Sequence, residues 1–572
     1  MSNMSPARGL RALAVLLGCA CLAACQSRTD LSATGNTPAQ FTHVYLTINQ
    51  VWFNTSAAAA PTDGSWVKFT LATPATVDLV TLNNGTVSQF ASALKLAAGT
   101  YVQVMLILAD STDALAASAH SLGAASNDEV DYIDTADVAH TAPLAVLNAA
   151  QGISLSASVT IAATSSTLGA PASSSAPASS TSATSAPTTT FSASGTATTS
   201  LIIDFDATRD LVPMSLSGQP AFVLNPHPQA YNAKSSGTIQ GTVALSGISV
   251  LSTAGLPDVQ VAAEALSSDG SRHVIALSTR VGADGTFILY PLSTTSGAPT
   301  SYDLVIHGPG IQTLIIKAVP VTNAAPGSAT AVLGSLPLSA ATPFLVNFNT
   351  GSPAVPASSL VGFYQTLPLS SEVPYLVETR AVDPTSGLFA TDQSLSDGSL
   401  QYGTYVAGGT IQLTAATPNE GAATYAIGAL NPAYGTTTLG TTVAAPGTAT
   451  TALFTMLAPP VPTNASANGI TGTVSVTNTQ TFDHAELFLT AAGALVAATS
   501  LDSYLGTGQS TLTLNGVAPG GSSAASYAAG VYNAEVWAWN SANPLGTLVR
   551  LPYGTPIDMS AGNASSVALT IP

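Results

Sequence analysis

Cysteine is almost absent. The only three are Cys19, Cys21 and Cys25, and no thiol follows residue 25. That excludes disulfide staples, thiolate metal sites and cysteine nucleophiles from the rest of the chain, so its fold must rest on apolar cores. Charge is scarce too, at 7% of residues against about a quarter in ordinary soluble proteins. Cations are scarcest: 12 Lys and Arg against 29 Asp and Glu give a formal charge of −17. By net charge, neither a nucleic-acid backbone nor an anionic membrane surface is an expected partner. Aromatics reach only 6% without a girdle pattern, and 36 prolines are spread along the chain, which argues against an outer-membrane β-barrel. Past the N-terminus no run approaches the ~18 consecutive apolar residues of a spanning helix. The mean hydropathy of +0.37 therefore comes from Ala, Val and Leu scattered among Ser, Thr and Gly. Gly-x-Ser-x-Gly, phosphate-loop, dinucleotide-binding and His-Glu-x-x-His patterns are all missing.

What is present begins with a leader. Arg8 and Arg11 precede the apolar run Leu13-Ala-Val-Leu-Leu-Gly18 and the small-residue sequence Leu22-Ala-Ala-Cys25. This is signal-peptide architecture, too short to span a bilayer. Leu22-Ala-Ala-Cys25 resembles the lipobox of bacterial lipoproteins, which implies that Cys25 is acylated and becomes the first residue of the mature chain. Acyl chains contribute about 0.8 kcal/mol per buried CH₂, and two or three of them hold a protein firmly. Gln26, rather than Asp, follows Cys25. By resemblance to Gram-negative sorting rules, this implies the outer membrane. Without Arg8 and Arg11, ten cations face 29 acids, a formal −19.

The remainder reads as strands and turns. In Phe41–Phe53, Val44, Leu46 and Ile48 alternate with Tyr45, Thr47 and Asn49, the period of a half-buried strand. Further strand patterns occur at 66–69, 77–82, 101–108, 152–162 and 199–206. Residues 163–199 are almost pure Ser, Thr, Ala and Pro, with too little apolar surface to offset ordering entropy, and are expected to form a long disordered surface loop inside a domain, with an interdomain linker as the alternative. Tyr45-Leu-Thr-Ile-Asn-Gln-Val, Val77-Asp-Leu-Val-Thr-Leu82, Gly99-Thr-Tyr101-Val-Gln-Val and Ile202-Ile-Asp-Phe-Asp-Ala-Thr-Arg209 together resemble a domain-of-unknown-function family, DUF4382, common after the lipid anchor of bacterial lipoproteins. The resemblance implies a β-sandwich and brings no activity or ligand. Gly237-Thr-Ile-Gln-Gly-Thr-Val243, Leu256-Pro-Asp-Val-Gln-Val261, Asp284-Gly-Thr-Phe287 and Tyr302-Asp-Leu-Val-Ile306 resemble the carboxypeptidase regulatory-like domain, a small transthyretin-like sandwich, which implies a structural module.

Self-similarity extends further. Ile470-Thr-Gly-Thr-Val474 echoes Ile239-Gln-Gly-Thr-Val243, and a Gly-x-Tyr strand entry recurs at Tyr101, Tyr405 and Tyr532. The expected architecture is all-β, with tandem Ig-like or transthyretin-like sandwiches and the disordered insertion. The boundaries are a leader at 1–24, a linker at 25–37, an N-terminal domain at 38–230, a second at 237–325, a third at 345–460 and a fourth at 465–572.

Candidate sites are few. Asp204 and Asp206 flank Phe205 at strand period, so both carboxylates share one face and could form an acid–base pair or bind a cation. With Arg209 and Asp210 beside them, an edge ion-pair network is the competing expectation. Asp128, Glu129 and Asp131 supply clustered oxygens that could hold Ca²⁺, against a plain solvated loop. Trp537 and Trp539 lie two apart and would present both rings on one side, as a sugar-stacking platform or as core. The seven histidines are dispersed, with no metal-ligand spacing. The sequence thus points to a membrane-tethered envelope protein with a structural or ligand-presenting role, no cofactor and no chemistry of its own. A carbohydrate- or matrix-binding adhesin and a carboxylate-dependent hydrolase are the alternatives, and a glycan or an envelope protein is the candidate partner.

Overall fold

The structure is a computed structural model. It describes residues 27–161 and 198–345, short stretches between 360 and 442, and 469–572, with brief interruptions inside these ranges. Cys25 with the leader expected at 1–24, and the Ser/Thr-rich tract up to residue 197, lie outside the described residues. Among the described residues the chain is nearly all-β, built as tandem sandwich units from separate sheets with no closed barrel. No described helix is long and apolar enough to cross a membrane.

The first unit contains β1 (Ser27–Asn36), β2 (Phe41–Asn54), β3 (Val67–Asp78), β4 (Ser88–Leu96), β5 (Gly99–Leu108), β6 (Glu129–Ile133), β7 (Ala139–Val146), β8 (Ile153–Ile161), β9 (Thr198–Asp206), β10 (Leu211–Leu216), β11 (Gln219–Leu224) and β12 (Gln229–Asn232). One sheet has the order β12-β9-β1-β4, and the other runs β10-β11-β7-β6-β2-β5-β8 with β3 on the free edge of β2. Alternation in β2 decides what enters the core between them. Val44, Leu46 and Ile48 face inward until a register shift between Ile48 and Gln50 inserts one residue; thereafter Val51 and Phe53 face in and Trp52 faces out. Residues 27–36, expected as linker, are instead β1, paired in parallel with β9 along its length. Leu31 and Ala33, both at 0% exposure, belong to the core, so the sheet needs this strand.

The second unit has β13 (Ser236–Ala244), β14 (Gln260–Leu266), β15 (His273–Arg280), β16 (Thr286–Ser293), β17 (Thr300–His307), β18 (Thr313–Val321) and β19 (Ala331–Pro337). It runs past the expected end at 325 because β19 fills the free edge of β13. After β20 (Pro343–Leu345), the 345–460 region holds β21 (Leu360–Gln365), β22 (Tyr375–Ala381), β23 (Ser394–Ser396), β24 (Leu400–Thr404), β25 (Thr414–Ala416), β26 (Tyr425–Asn431), β27 (Gly435–Thr436) and β28 (Gly440–Thr442). Of these, β24 and β25 extend the second unit's sheet through a parallel pairing with β18, whereas β22, β21, β26, β27 and β28 form a sheet of their own. The Gly403-Thr-Tyr405 entry belongs to that borrowed edge, where the Tyr405 N–H donates to the Lys317 carbonyl at 2.9 Å.

The fourth unit comprises β29 (Gly469–Val476), β30 (His484–Ala491), β31 (Ala494–Ser500), β32 (Thr511–Asn515), β33 (Val531–Trp539), β34 (Val549–Asp558) and β35 (Ala564–Ile571). It repeats the topology of the second. In each, the first strand lies between the fourth, antiparallel, and the seventh, parallel, while the third, second, fifth and sixth form the facing sheet. The echoing pentapeptides are these first strands, with Ile239, Val243, Ile470 and Val474 all in their cores.

Candidate functional site

β9 carries the paired acids. Leu201, Ile203 and Phe205 face the first core, which puts Asp204 and Asp206 on the opposite face as expected. That face is covered by the second unit, and each acid is only 2% exposed, so the network is buried and not at an edge. Asp206 caps the one-turn helix Ala207–Asp210: its Oδ1 accepts from the Thr208 N–H at 3.0 Å and the Thr208 hydroxyl at 2.6 Å. Its Oδ2 accepts from the Ser278 hydroxyl of β15 at 2.5 Å, and Asn36 donates to Ser278 at 2.9 Å. Asp204 Oδ2 faces Arg209 Nη2 at 3.7 Å, and Asp210 Oδ1 lies 3.7 Å from Arg209 Nε and accepts the His227 N–H at 2.9 Å. Burial pushes the Asp204 carboxyl well above the usual range, with Arg209 opposing. Burial works against the Arg209 charge, yet Asp206, Asp210 and Asp204 hold its pKa above the ordinary value. The guanidinium is held inside the first unit by Asp204 and Asp210, and the link to the second unit runs from Asp206 and Asn36 to Ser278. An acid–base pair would instead need both carboxylates open to a substrate.

The second acidic cluster is not a solvated loop. Asp128 and Glu129 are 0% and 4% exposed. Asp128 Oδ1 accepts the Thr47 N–H at 2.9 Å, and Glu129 Oε2 accepts the Ala125 and Ser126 N–H groups at 3.0 Å each. Asn127 ties the preceding loop by accepting from Ala116 N and donating to the Asp110 and Ala114 carbonyls. Asp131 is turned away and accepts from the Thr141 hydroxyl at 2.6 Å. Acids in this run satisfy backbone donors that would otherwise be orphaned, which is why burial is tolerated. Among the described residues, no three of His, Cys, Asp and Glu come together as cation ligands.

Trp537 and Trp539 do share a side, but the rings are 1% and 5% exposed, so they form no open stacking platform. They pack with Phe488, Leu495 and Ala498 against Ala145, Leu147, Val212, Met214, Leu216 and Val223 of the first unit. Around them is a polar frame that sequence reasoning missed. Arg550 Nε donates to Glu535 at 2.7 Å, Nη1 to Asp110 at 3.0 Å and Nη2 to the Val146 carbonyl at 2.9 Å. Glu535 also accepts from Trp537 Nε1 at 2.8 Å and from the Asn148 N–H at 2.7 Å. Trp539 Nε1 donates to Ser217 at 3.0 Å, and Asn225 accepts the Leu495 N–H at 2.8 Å. The bonds from Trp537 and Arg550 to Glu535 are made within the fourth unit, but Asp110, Val146, Asn148, Ser217 and Asn225 lie 270 to 440 positions from their partners, so no local pattern announces the frame. The available signal was a lone cation and a lone acid inside apolar strands of a chain poor in charge.

A third polar junction was also missed. Glu264 of β14, 1% exposed, accepts the Leu376 N–H at 3.3 Å, while its Oε1 and the Tyr364 hydroxyl lack hydrogen-bond partners among the described residues. Nearby, Tyr375 donates to Asp303 at 2.8 Å and stacks on His273 at 3.9 Å, and Lys317 pairs with Glu372. Burial pushes the Glu264 carboxyl well above its ordinary value. Five of the seven histidines, His43, His140, His227, His273 and His484, lie beside an aspartate.

No curated protein matches the chain. Residues 29–226 match the family model described as Domain of unknown function (DUF4382), a span that opens inside β1 and closes after β11, so the N-terminal unit is the part of this chain that carries that family's fold.

Proposed function

We propose that the chain is a lipid-anchored cell-envelope protein, acylated at Cys25 and exported to the outer membrane, with a structural or ligand-presenting role and no catalysis of its own. The observation that carries this reading is where the buried charge goes. Asp206, Asp128, Glu129, Glu535 and Arg550 each bond a backbone group or a side chain of the framework, three of them across unit boundaries, and Asp204 faces Arg209, while Asp204 Oδ1 and Asp128 Oδ2 lack a hydrogen-bond partner among the described residues. Such bonds make a rigid body, which suits a scaffold held at one point. The lipobox Leu22-Ala-Ala-Cys25 supports export and anchoring, and β1 starting at Ser27 means that the anchor leads straight into a sheet. Two sheets enclosing one core in 236–337 support the carboxypeptidase regulatory-like reading of the second unit.

Cys25→Ser tests the anchor. The variant is expected in the soluble fraction, with the urea unfolding midpoint of the wild-type protein. Retention in the membrane fraction overturns the reading.

A further inference from the structure

All ten Lys and Arg that follow the leader are described, and the fold sorts them. Arg209, Arg272, Arg280, Lys317, Arg380 and Arg550 are buried or half-buried. The exposed four are Arg28, Lys68, Lys95 and Lys234. Lys68 lies over the Trp52 ring at 3.5 Å. The other three gather at one end of the first unit. Arg28 is the second residue of β1 and sits directly opposite Lys95 of β4. Lys234 follows β12, which pairs with β9, which pairs with β1, so it reaches the same end two strands away, roughly 10 Å across the sheet. None of the three side chains has an ion-pair partner among the described residues. The nearest acid on β1, Asp30, is turned to the Ala93 N–H at 2.8 Å.

Chain length then places this end. Arg28 is three residues after Cys25, so their Cα atoms are at most about 11 Å apart. That is close to the Debye length of about 8 Å at physiological salt. The β4–β5 corner beside it, Ala97-Ala98-Gly99, is exposed, small and uncharged.

We propose that the Arg28, Lys95 and Lys234 end is a docking face for anionic phospholipid headgroups, which seats the first unit upright on the bilayer that holds its anchor. This rests on the lipid-anchor reading above. The chain's formal −19 is a sum over the whole molecule, whereas contact with a surface is governed by the charges within about a Debye length of it. Each cation near such a surface is expected to favour contact about fivefold.

The acylated full chain is reconstituted on phosphatidylcholine vesicles, with or without about a third phosphatidylglycerol. A membrane-impermeant amine reagent is applied and labelling is read by mass spectrometry. Labelling of Lys95 and Lys234 is expected to fall about fivefold on the anionic vesicles, to recover in about 1 M salt, and to leave Lys317 unchanged. Arg28→Glu, an exposed substitution, is expected to restore Lys95 labelling on the anionic vesicles. Equal labelling on both vesicles, or a fall shared by Lys317, overturns the docking face alone. A chain that floats with neither vesicle overturns the anchor and the docking face together.

Discussion

Glu264 places a carboxylate where only one of its oxygens finds a donor, and its pKa stands well above the ordinary value because burial disfavours the charged form. A raised folded-state pKa makes a contribution that is complete below the unfolded value of about 4.3 and is lost as pH rises towards the folded value. Glu264→Gln keeps the shape and the acceptor for the Leu376 N–H but cannot ionise. The variant is expected to gain on the wild-type protein by about 1.4 kcal/mol per pH unit across that window. Urea midpoints between pH 4 and 8 check this, and a difference that stays flat with pH sinks it. His307 acts in the opposite sense in both proteins and so cancels. Burial, with Arg380 nearby, brings its pKa down to about 3, so its contribution is present above about 6.5 and lost on acidification.

Strand β29 shows how much an element's sequence can say. Its likeness to β13 was visible as Ile-x-Gly-Thr-Val, and both prove to be first strands of one topology. The role of the central glycine was not visible, because it depends on the strand alongside. A Cβ at Gly472 would run into the Val567 backbone of β35, whereas one at Gly241 meets the Phe287 ring edge at 2.7 Å. A ring can shift and a paired strand cannot. Gly472→Ala is therefore expected to cost more than Gly241→Ala, at the upper end of the ~1–3 kcal/mol typical of overpacking. Scanning calorimetry of the two variants gives the order, and a reversed order refutes the close-approach account. β2 was legible in the same partial way. Its alternation named Val44, Leu46 and Ile48 as inward, but the inserted residue after Ile48 reverses the parity, and only its pairing with β3 and β5 reveals that. β1 was missed because Ser27–Asn36, with two Ser and two Thr among ten residues, has little apolar alternation and is a strand by virtue of the neighbours on both edges.

At the scale of the molecule, the first unit is where the others attach. Asn36, Asp206 and Asn84 bond it to the second unit, and the Arg550 frame bonds it to the fourth. Arg550→Ala leaves Glu535, 1% exposed, without its cation inside the contact, a change expected to cost about 3–5 kcal/mol. Heat is then expected to unfold the fourth unit in a separate, earlier transition, where in the wild-type protein it melts together with the first. An Arg550→Ala chain that still melts in one unshifted transition refutes the frame. Arg550→Lys should recover only part of the loss, because an ammonium cannot reach Glu535, Asp110 and the Val146 carbonyl as a fork.

Composition and short-range pattern by themselves determined the all-β class, the lack of any thiol past Cys25 and the two echoing first strands. Those properties depend on residue type and on neighbours within a few positions, which a sequence displays directly. Tertiary structure alone decided what the few charges and the paired tryptophans do. A buried charge requires a partner, and here the partners lie up to 440 positions away, as Asp110 does from Arg550. Net charge is a sum without positions. It argued against an anionic surface, while the fold turned most cations inward and left Arg28, Lys95 and Lys234 together at one end of the first unit.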